Sequence, residues 1–520
     1  MGPEAPFLQI ITGDRIRVEL QQAPRRYYSH GWQSWSLAAW VDARRPLTVQ
    51  QPYFLHPMQI DPLWAFHPRL HGSWLGATEQ QDGHVVLLGS LGLDAHVELD
   101  GTALAGWYEA GSGAWLVAQG EETAVFEAYA RELEKRLGKG AQTLNGGVWC
   151  SWYSLYTDID EQLLNTIFAG LGDLPFEVLQ VDDGWQQSIG DWEPNQKFPS
   201  GMEAMARRIK ATGRRAGLWL APLIAVQSSQ LFRSHPEWFL RDRGDKLVSA
   251  GFNWGEQLYA LDTTQPAVQD WLAALMRRVR DWGYDYLKVD FLYGGALPGV
   301  RHEPMPREAA LRQGLQVLRQ AMGVDAFFLG CGAPILPSLG ICDALRVGPD
   351  VWSEWGSDRD ERLLHNPAVP GGRTAVRTTV NRLWLKPLVV PDPDVVYFRS
   401  IECALTPEQK RLLQGLALIC GFRSTSDPPQ WLAPDEQEQL REFLTLTPKV
   451  QRMGPRRFLL DGTELDYANP TEFRKHGGLW NSIGSAAFGW LANHEWALKI
   501  DERMRRRAAA RRMRRLRERL

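Results

Sequence analysis

Over residues 1–140, apolar and polar positions alternate in short runs. Residues 15–20 and 95–99 each place every second side chain on one face, the period of a half-buried strand. Glycine-bearing turns such as Gly89-Ser90-Leu91-Gly92 part the runs. This pattern predicts an N-terminal β-sandwich over residues 1–140.

From residue 141 to 430 the period changes. Short apolar segments at 148–153, 178–182, 216–221, 286–291, 327–330 and 344–347 read as strands, and amphipathic helical stretches lie between them. Residues 202–212 follow a capping-box pattern, Ser200 with Glu203 three positions on. The next helix carries Trp271, Leu272, Leu275, Met276, Val279 and Trp282 on one stripe. Gly213, Gly283 and Gly323 each close a helix just before the next strand, where a left-handed residue is wanted. Strand–helix units repeated over roughly 280 residues predict a (β/α)8 barrel, the TIM barrel, whose chemistry gathers at the C-terminal strand ends. Asp182, Asp183, Trp219, Asp290, Cys331 and Asp350 all fall at such ends.

Residues 431–520 are atypical. A polar helix is expected at 434–444 and strands could begin at 457–466; by the family resemblance given below, the region reads as a β-sandwich remnant or as irregular chain. Its last seventeen residues, 504–520, hold nine Arg and one Glu, leaving a formal charge of about −11 on the rest of the chain. An acidic body argues against nucleic acid as a partner.

Composition is that of a soluble globular enzyme, with 44% hydrophobic and 23% charged residues. The five cysteines form no C-x-x-C pair, which removes support for a zinc site and for a disulfide framework. Zincin, P-loop and G-x-S-x-G signatures are missing. No apolar run is long enough to span a membrane, and the chain reads as cytoplasmic. The 23 tryptophans suit carbohydrate contact and large aromatic cores alike.

The candidate chemistry starts at Lys288-Val289-Asp290. Residues two apart on a strand share a face, so a lysine would hold a buried carboxylate ionised. That suits a glycosidase nucleophile; taken alone, a plain core salt bridge is the better reading. Asp350 closes another strand after Gly348-Pro349, and a second carboxylate at a strand end makes an acid/base pair with the first; a turn cap is the plainer reading of Asp350 alone. Val181-Asp182-Asp183-Gly184-Trp185 offers acceptors for sugar hydroxyls and an indole for a pyranose face, though Asp-Asp-Gly is also an ordinary turn. The alignment of all these positions with strand ends favours an active site.

Gly31-Trp32-Gln33-Ser34-Trp35, Trp149-Cys150-Ser151-Trp152-Tyr153, Asp182-Asp183, Gly217-Leu218-Trp219, Lys288-Val289-Asp290-Phe291, Gly330-Cys331-Gly332 and Arg346-x-Gly-Pro-Asp350 occur in that order. Together they resemble the α-galactosidases of glycoside hydrolase family 36, above all the short bacterial, thermophile-like type. The resemblance covers roughly residues 28–430. It implies a retaining exo-α-galactosidase that needs no metal or other cofactor, with Asp290 as nucleophile and Asp350 as acid/base. Asp182 and Asp183 would bind the 4- and 6-hydroxyls and Lys288 the 3- and 4-hydroxyls. Cys331, Gly332 and Arg346 would lie near the 2-hydroxyl, and Trp219 and Trp35 would line the pocket. Trp35 would reach in from an N-terminal β-supersandwich. Pro391-Asp392-Pro393-Asp394 reads as the seventh strand end, with a structural role. A transglycosylase, an α-N-acetylgalactosaminidase and a non-catalytic sugar-binding protein are the alternatives. The expected partner is a small sugar, with homo-oligomerisation left open.

Overall fold

The computed structural model describes residues 5–44, 56–65, 67–356 and 369–471, with isolated positions between 494 and 518. The N-terminal region forms two antiparallel sheets. One has six strands in the order Phe7–Gly13, Gly113–Gly120, Val85–Ser90, Leu75–Glu79, Arg26–His30, Ala38–Asp42. The other has four, Arg15–Glu19, Ala103–Tyr108, Ala95–Asp100, His71–Ser73. Trp32, Trp74 and Trp115 are fully buried among them. The alternation reading misses one element here, the helix Glu122–Leu137. Its buried Val125, Phe126, Tyr129 and Leu133 follow helical spacing, and the Tyr129 hydroxyl donates to Ser90 O on the larger sheet at 2.8 Å.

Eight parallel strands follow: β1 (Gly147–Cys150), β2 (Phe176–Val181), β3 (Arg215–Leu220), β4 (Tyr286–Val289), β5 (Phe327–Gly330), β6 (Ala344–Arg346), β7 (Val390–Asp392) and β8 (Ser424–Thr425). They lie in the spatial order β7-β6-β5-β4-β3-β2-β1-β8, one curled sheet. A parallel bridge between Val396 and Thr425 links its two edges. The six strands read from periodicity are all present, Phe327–Gly330 at the expected bounds and the other five with shifted ends. The first stops at Cys150, because Trp152–Leu155 turns into a short helix that buries the same apolar residues. The fourth stops at Val289, because Phe291 adopts a left-handed φ of 54°.

The intervening helices bury their apolar stripes. In Pro266–Asp281, Leu272, Leu275, Met276 and Val279 are buried; Trp271 and the adjoining Trp282 are only half-buried. Gly213, Gly283 and Gly323 have φ between 80° and 101°, as helix-closing glycines require. The capping box is not formed: the Ser200 hydroxyl donates to Glu161 at 2.7 Å instead of accepting from its own helix.

The N-terminal sheets are tied to the parallel sheet by polar contacts that fix the loop 31–36. Arg382 donates to the carbonyls of Gly31, Gln33 and Ser34 and also to Val347 O just beyond β6. Ser34 N meets Ala333 O at 3.0 Å, and Ala333 N returns a bond to Ser34 Oγ at 3.0 Å. Glu308, in the helix Arg307–Met322, accepts from the indoles of Trp32 at 2.9 Å and Trp74 at 2.8 Å.

After β8 come the expected polar helix, Pro434–Thr445, and an antiparallel sheet of Val450–Gly454, Arg457–Leu460 and Thr463–Asp466. The Tyr467 hydroxyl anchors this piece to Leu412 O at 3.0 Å. The Arg-rich segment 504–520 lies mostly outside the described residues. Among the described residues no helix is long and apolar enough to cross a membrane.

Candidate active site

The residues singled out at the strand ends converge on the C-terminal mouth of the parallel sheet. Asp290 follows β4, and its carboxylate is 6% exposed with the rest of the residue. Its Oδ2 accepts from Trp219 Nε1 of β3 at 3.0 Å, and its Oδ1 from Phe291 N at 2.8 Å. Burial pushes the Asp290 carboxyl above its usual range, against the field of Lys288 and the Trp219 bond, and the charge of Asp350 adds to the rise.

One expectation needs correction. Lys288 does not pair with Asp290. Its Nζ lies 3.0 Å from Asp182 Oδ2 on β2, so only its field reaches Asp290. The ammonium is thereby held well above its usual range despite burial, which alone would lower it. The shared strand face holds; the direct partner is the more deeply buried carboxylate.

Asp182 also accepts from Cys150 Sγ at 3.4 Å and from Asp183 N at 2.9 Å. Asp183 accepts from Gln186 Nε2 at 2.6 Å and Trp254 Nε1 at 2.7 Å, and burial raises its carboxyl to about 6. Trp254 sits on the hairpin Ser249–Asn253 to Glu256–Ala260, inserted after β3. Its ring stands 6.2 Å from Trp219 and 5.1 Å from Phe291, completing an aromatic wall that sequence periodicity did not reveal.

Asp350 lies beyond β6, and its side chain is 34% exposed. Arg346 Nη1 and the Tyr153 hydroxyl both donate to its Oδ1, each at 3.1 Å. Arg346 is fully engaged, by Asp392 Oδ2 at 2.9 Å, Asp394 Oδ1 at 2.8 Å and the Tyr153 oxygen at 3.1 Å. The turn Pro391–Asp394 thus has the structural role expected of it. Tyr153 was visible in the sequence as part of a motif, but its apolar neighbours suggested a strand and hid its reach.

Cys331 is buried beside this cluster, and burial holds its thiol well above the usual range. Gly332 has φ 51°, and a Cβ there would stand 2.9 Å from Trp35 Cη2. Glycine is required at this position for the indole to approach. Trp35 packs edge-on to Phe291 at 5.3 Å, and its buried Nε1 finds no hydrogen-bond partner among the described residues. A buried indole N–H without an acceptor suits a ligand hydroxyl.

Among the described residues, Asp61, His96 and Glu109 are the one group whose ligand atoms are close enough to share a metal ion. The guanidinium of Arg307 already fills it, 2.5 Å from Asp61 Oδ2 and 2.5 Å from Glu109 Oε1.

Comparison with known proteins agrees with this arrangement. The Melibiase family profile matches residues 128–324. An α-galactosidase structure from Thermus thermophilus, in complex with p-nitrophenyl α-D-galactopyranoside, is 44% identical, with a TM-score of 0.85, over 89% of this chain and 97% of that one. A structure of α-galactosidase AgaA from Geobacillus stearothermophilus shares the fold at 16% identity, with a TM-score of 0.56, over 83% of this chain and 61% of that one. Among curated relatives, AgaA of Geobacillus stearothermophilus is 33% identical over 17% of this chain and 13% of its own length. Mel36A of Lactobacillus acidophilus is 26% identical over 41% of this chain and 30% of its own length. The chain therefore spans under a third of these longer curated relatives, but nearly all of the Thermus protein. Fold and relatives place it among the glycoside hydrolases. Within them, the chain belongs to the α-galactosidases of family 36.

Proposed function

We propose that the chain is a retaining exo-α-galactosidase acting on small galactosides of the melibiose and raffinose type. The observation that carries the reading is a pair of carboxylates at the ends of β4 and β6 with unlike surroundings. Asp290 is buried with both oxygens held by N–H donors, as a fixed nucleophile needs. Asp350 is partly open to solvent, as a group that exchanges protons with water needs. Asp290 attacks the anomeric carbon while Asp350 protonates the leaving oxygen. Water deprotonated by Asp350 then releases galactose with retained configuration.

Asp182 and Asp183 accept from the 4- and 6-hydroxyls, and Lys288 donates to the 3- and 4-hydroxyls. Cys331 and Gly332 border the 2-position, and Arg346 contributes mainly by orienting Asp350. Trp219 and Trp35 give the sugar its apolar walls. This reading takes the curled sheet as a (β/α)8 barrel over 141–430, with closure supported by the Val396–Thr425 bridge. A sandwich over 1–140 and a small region over 431–520 flank it. The ligands in the Thermus protein's structures, p-nitrophenyl α-galactopyranoside and stachyose, support the substrate class. Five free cysteines fit a cytoplasmic enzyme.

The test is proton NMR of fresh hydrolysate from nitrophenyl α-galactoside. α-Galactose should appear first and mutarotate later. First appearance of the β-anomer, or preference for the α-glucoside or the N-acetylgalactosaminide, would overturn the reading.

A further inference from the structure

We infer that Tyr153 is a positioning residue that, with Arg346, occupies Oδ1 of Asp350, so that the proton delivered to the leaving group is carried on Oδ2. This deepens the functional reading above and rests on it. Tyr153 has one hydroxyl hydrogen, and its oxygen already accepts from Arg346 Nη1 at 3.1 Å. That leaves the one hydrogen for a carboxylate, and two are in reach: Asp350 Oδ1 at 3.1 Å, toward which the hydroxyl is directed, and Asp394, which competes for it. The second donor to that oxygen, Arg346 Nη1, stands at the same distance. No donor among the described residues meets Oδ2. A carboxyl oxygen accepting two hydrogen bonds is a poor place for a proton, so protonation goes to the other.

The cluster is built to hold this geometry. Tyr153 is buried in the short helix after β1, and its backbone N–H is fixed to Ser426 Oγ at 3.3 Å beyond β8. Arg346 is clamped from below by Asp392 and Asp394 of the β7 turn. Among the described residues, the charged or titratable groups facing Asp350 are thus Arg346 on β6, Tyr153 after β1, Asp394 after β7, Asp290 after β4 and Cys331 after β5. Of these, Tyr153 alone bonds to the carboxylate with no formal charge. Removing its hydroxyl therefore tests placement of the proton with little change in the field.

The experiment is kcat/KM against pH for Tyr153→Phe in the full chain, on nitrophenyl α-galactoside and on melibiose. Losing a donor to the carboxylate raises the proton affinity of Asp350, so the alkaline limb should move up by about one pH unit. Melibiose, whose leaving group needs the proton, should lose roughly tenfold; the nitrophenyl substrate should lose much less. Placing 3-fluorotyrosine at 153, a stronger donor, should move the limb down, and this second variant serves if the first melts early. An unmoved limb in both proteins, or equal loss on both substrates, overturns the role of Tyr153. Asp350→Ala separates the two ideas. If its alkaline limb persists and its losses ignore the leaving group, Asp350 is not the acid and the functional reading itself fails.

Discussion

Buried charge gathers in two regions of this molecule, and they are finished differently. At the junction between the N-terminal sheets and the helix Arg307–Met322, Arg307 bonds to Asp61 and Glu109 and stacks over Trp32 at 5.0 Å. Glu308 takes three donors, from Trp32, Trp74 and Asp94 N. The charges there have their complements inside the protein, and only His96 Nδ1 of that cluster lacks a partner among the described residues. At the mouth of the parallel sheet the pairing stops short. Trp35 Nε1 has no acceptor and Asp350 Oδ2 no donor among the described residues, and Asp350 opens to solvent. Buried charge by itself marks neither region as functional. Polar groups left for something else to complete mark the mouth as a site.

The sharpest way to break this contrast is to exchange the consequences of mutation. Asp290→Ala should lower turnover at least about a thousandfold, because no covalent path remains. Its melting temperature should hold or rise, since a buried carboxyl raised by desolvation no longer has to be accommodated. Steady-state kinetics with calorimetry checks both. Retained turnover would place Asp290 with the structural charges.

Arg307→Met should do the reverse. Removing the cation leaves Asp61 and Glu109 facing each other in the interior, a loss of about 3–5 kcal/mol. The fraction that stays folded should turn over substrate at nearly the parent rate. Urea unfolding read beside specific activity decides it; a stable protein with collapsed kcat would erase the distinction between the regions.

Trp35→Ala sharpens the comparison from the junction's side, since its loop is held by Arg382 but its ring faces the site. Loss of a pocket wall should cost about 1 kcal/mol in substrate binding, seen as a several-fold rise in KM. A large fall in stability with unchanged KM would make Trp35 a packing residue only.

The smallest effect concerns pH. Burial raises Asp183 to about 6 in the folded protein, above its unfolded value near 4. The folded state then binds the proton more tightly, so this group's contribution to stability falls as pH rises from about 4 to 6 and is constant above. Substrate binding needs the ionised form to accept sugar hydroxyls, so kcat/KM should rise across the same window. Asp183→Asn should flatten the acid limb of the profile and remove that part of the slope in melting temperature. Parallel rise of activity and stability would contradict the assignment.

Strands β2 to β6 were legible because short apolar runs between glycine-closed helices leave few alternatives. β8 was not, since Ser424–Thr425 is two polar residues long and its place is set by β1 and the Val396 bridge. The strand-end carboxylates were legible as positions, but their partners were not. Lys288 lies two residues from Asp290 in sequence yet bonds to Asp182, because the curl of the sheet sets which inward side chains meet. Trp254 and Tyr153 reach the site from an inserted hairpin and a one-turn helix, elements too short for periodicity to specify. The junction charges left no trace at all: Asp61, Glu109 and Arg307 come from three unrelated segments.

The most direct measurement is to trap the enzyme with a slowly turning over fluorinated α-galactosyl fluoride, digest it, and locate the label by mass spectrometry. The label is expected on the peptide carrying Asp290, as an ester with that carboxylate, and absent from the Asp290→Ala protein. A label on Asp350 or elsewhere, or an enzyme inactivated without covalent attachment, would contradict Asp290 as the nucleophile of a retaining reaction.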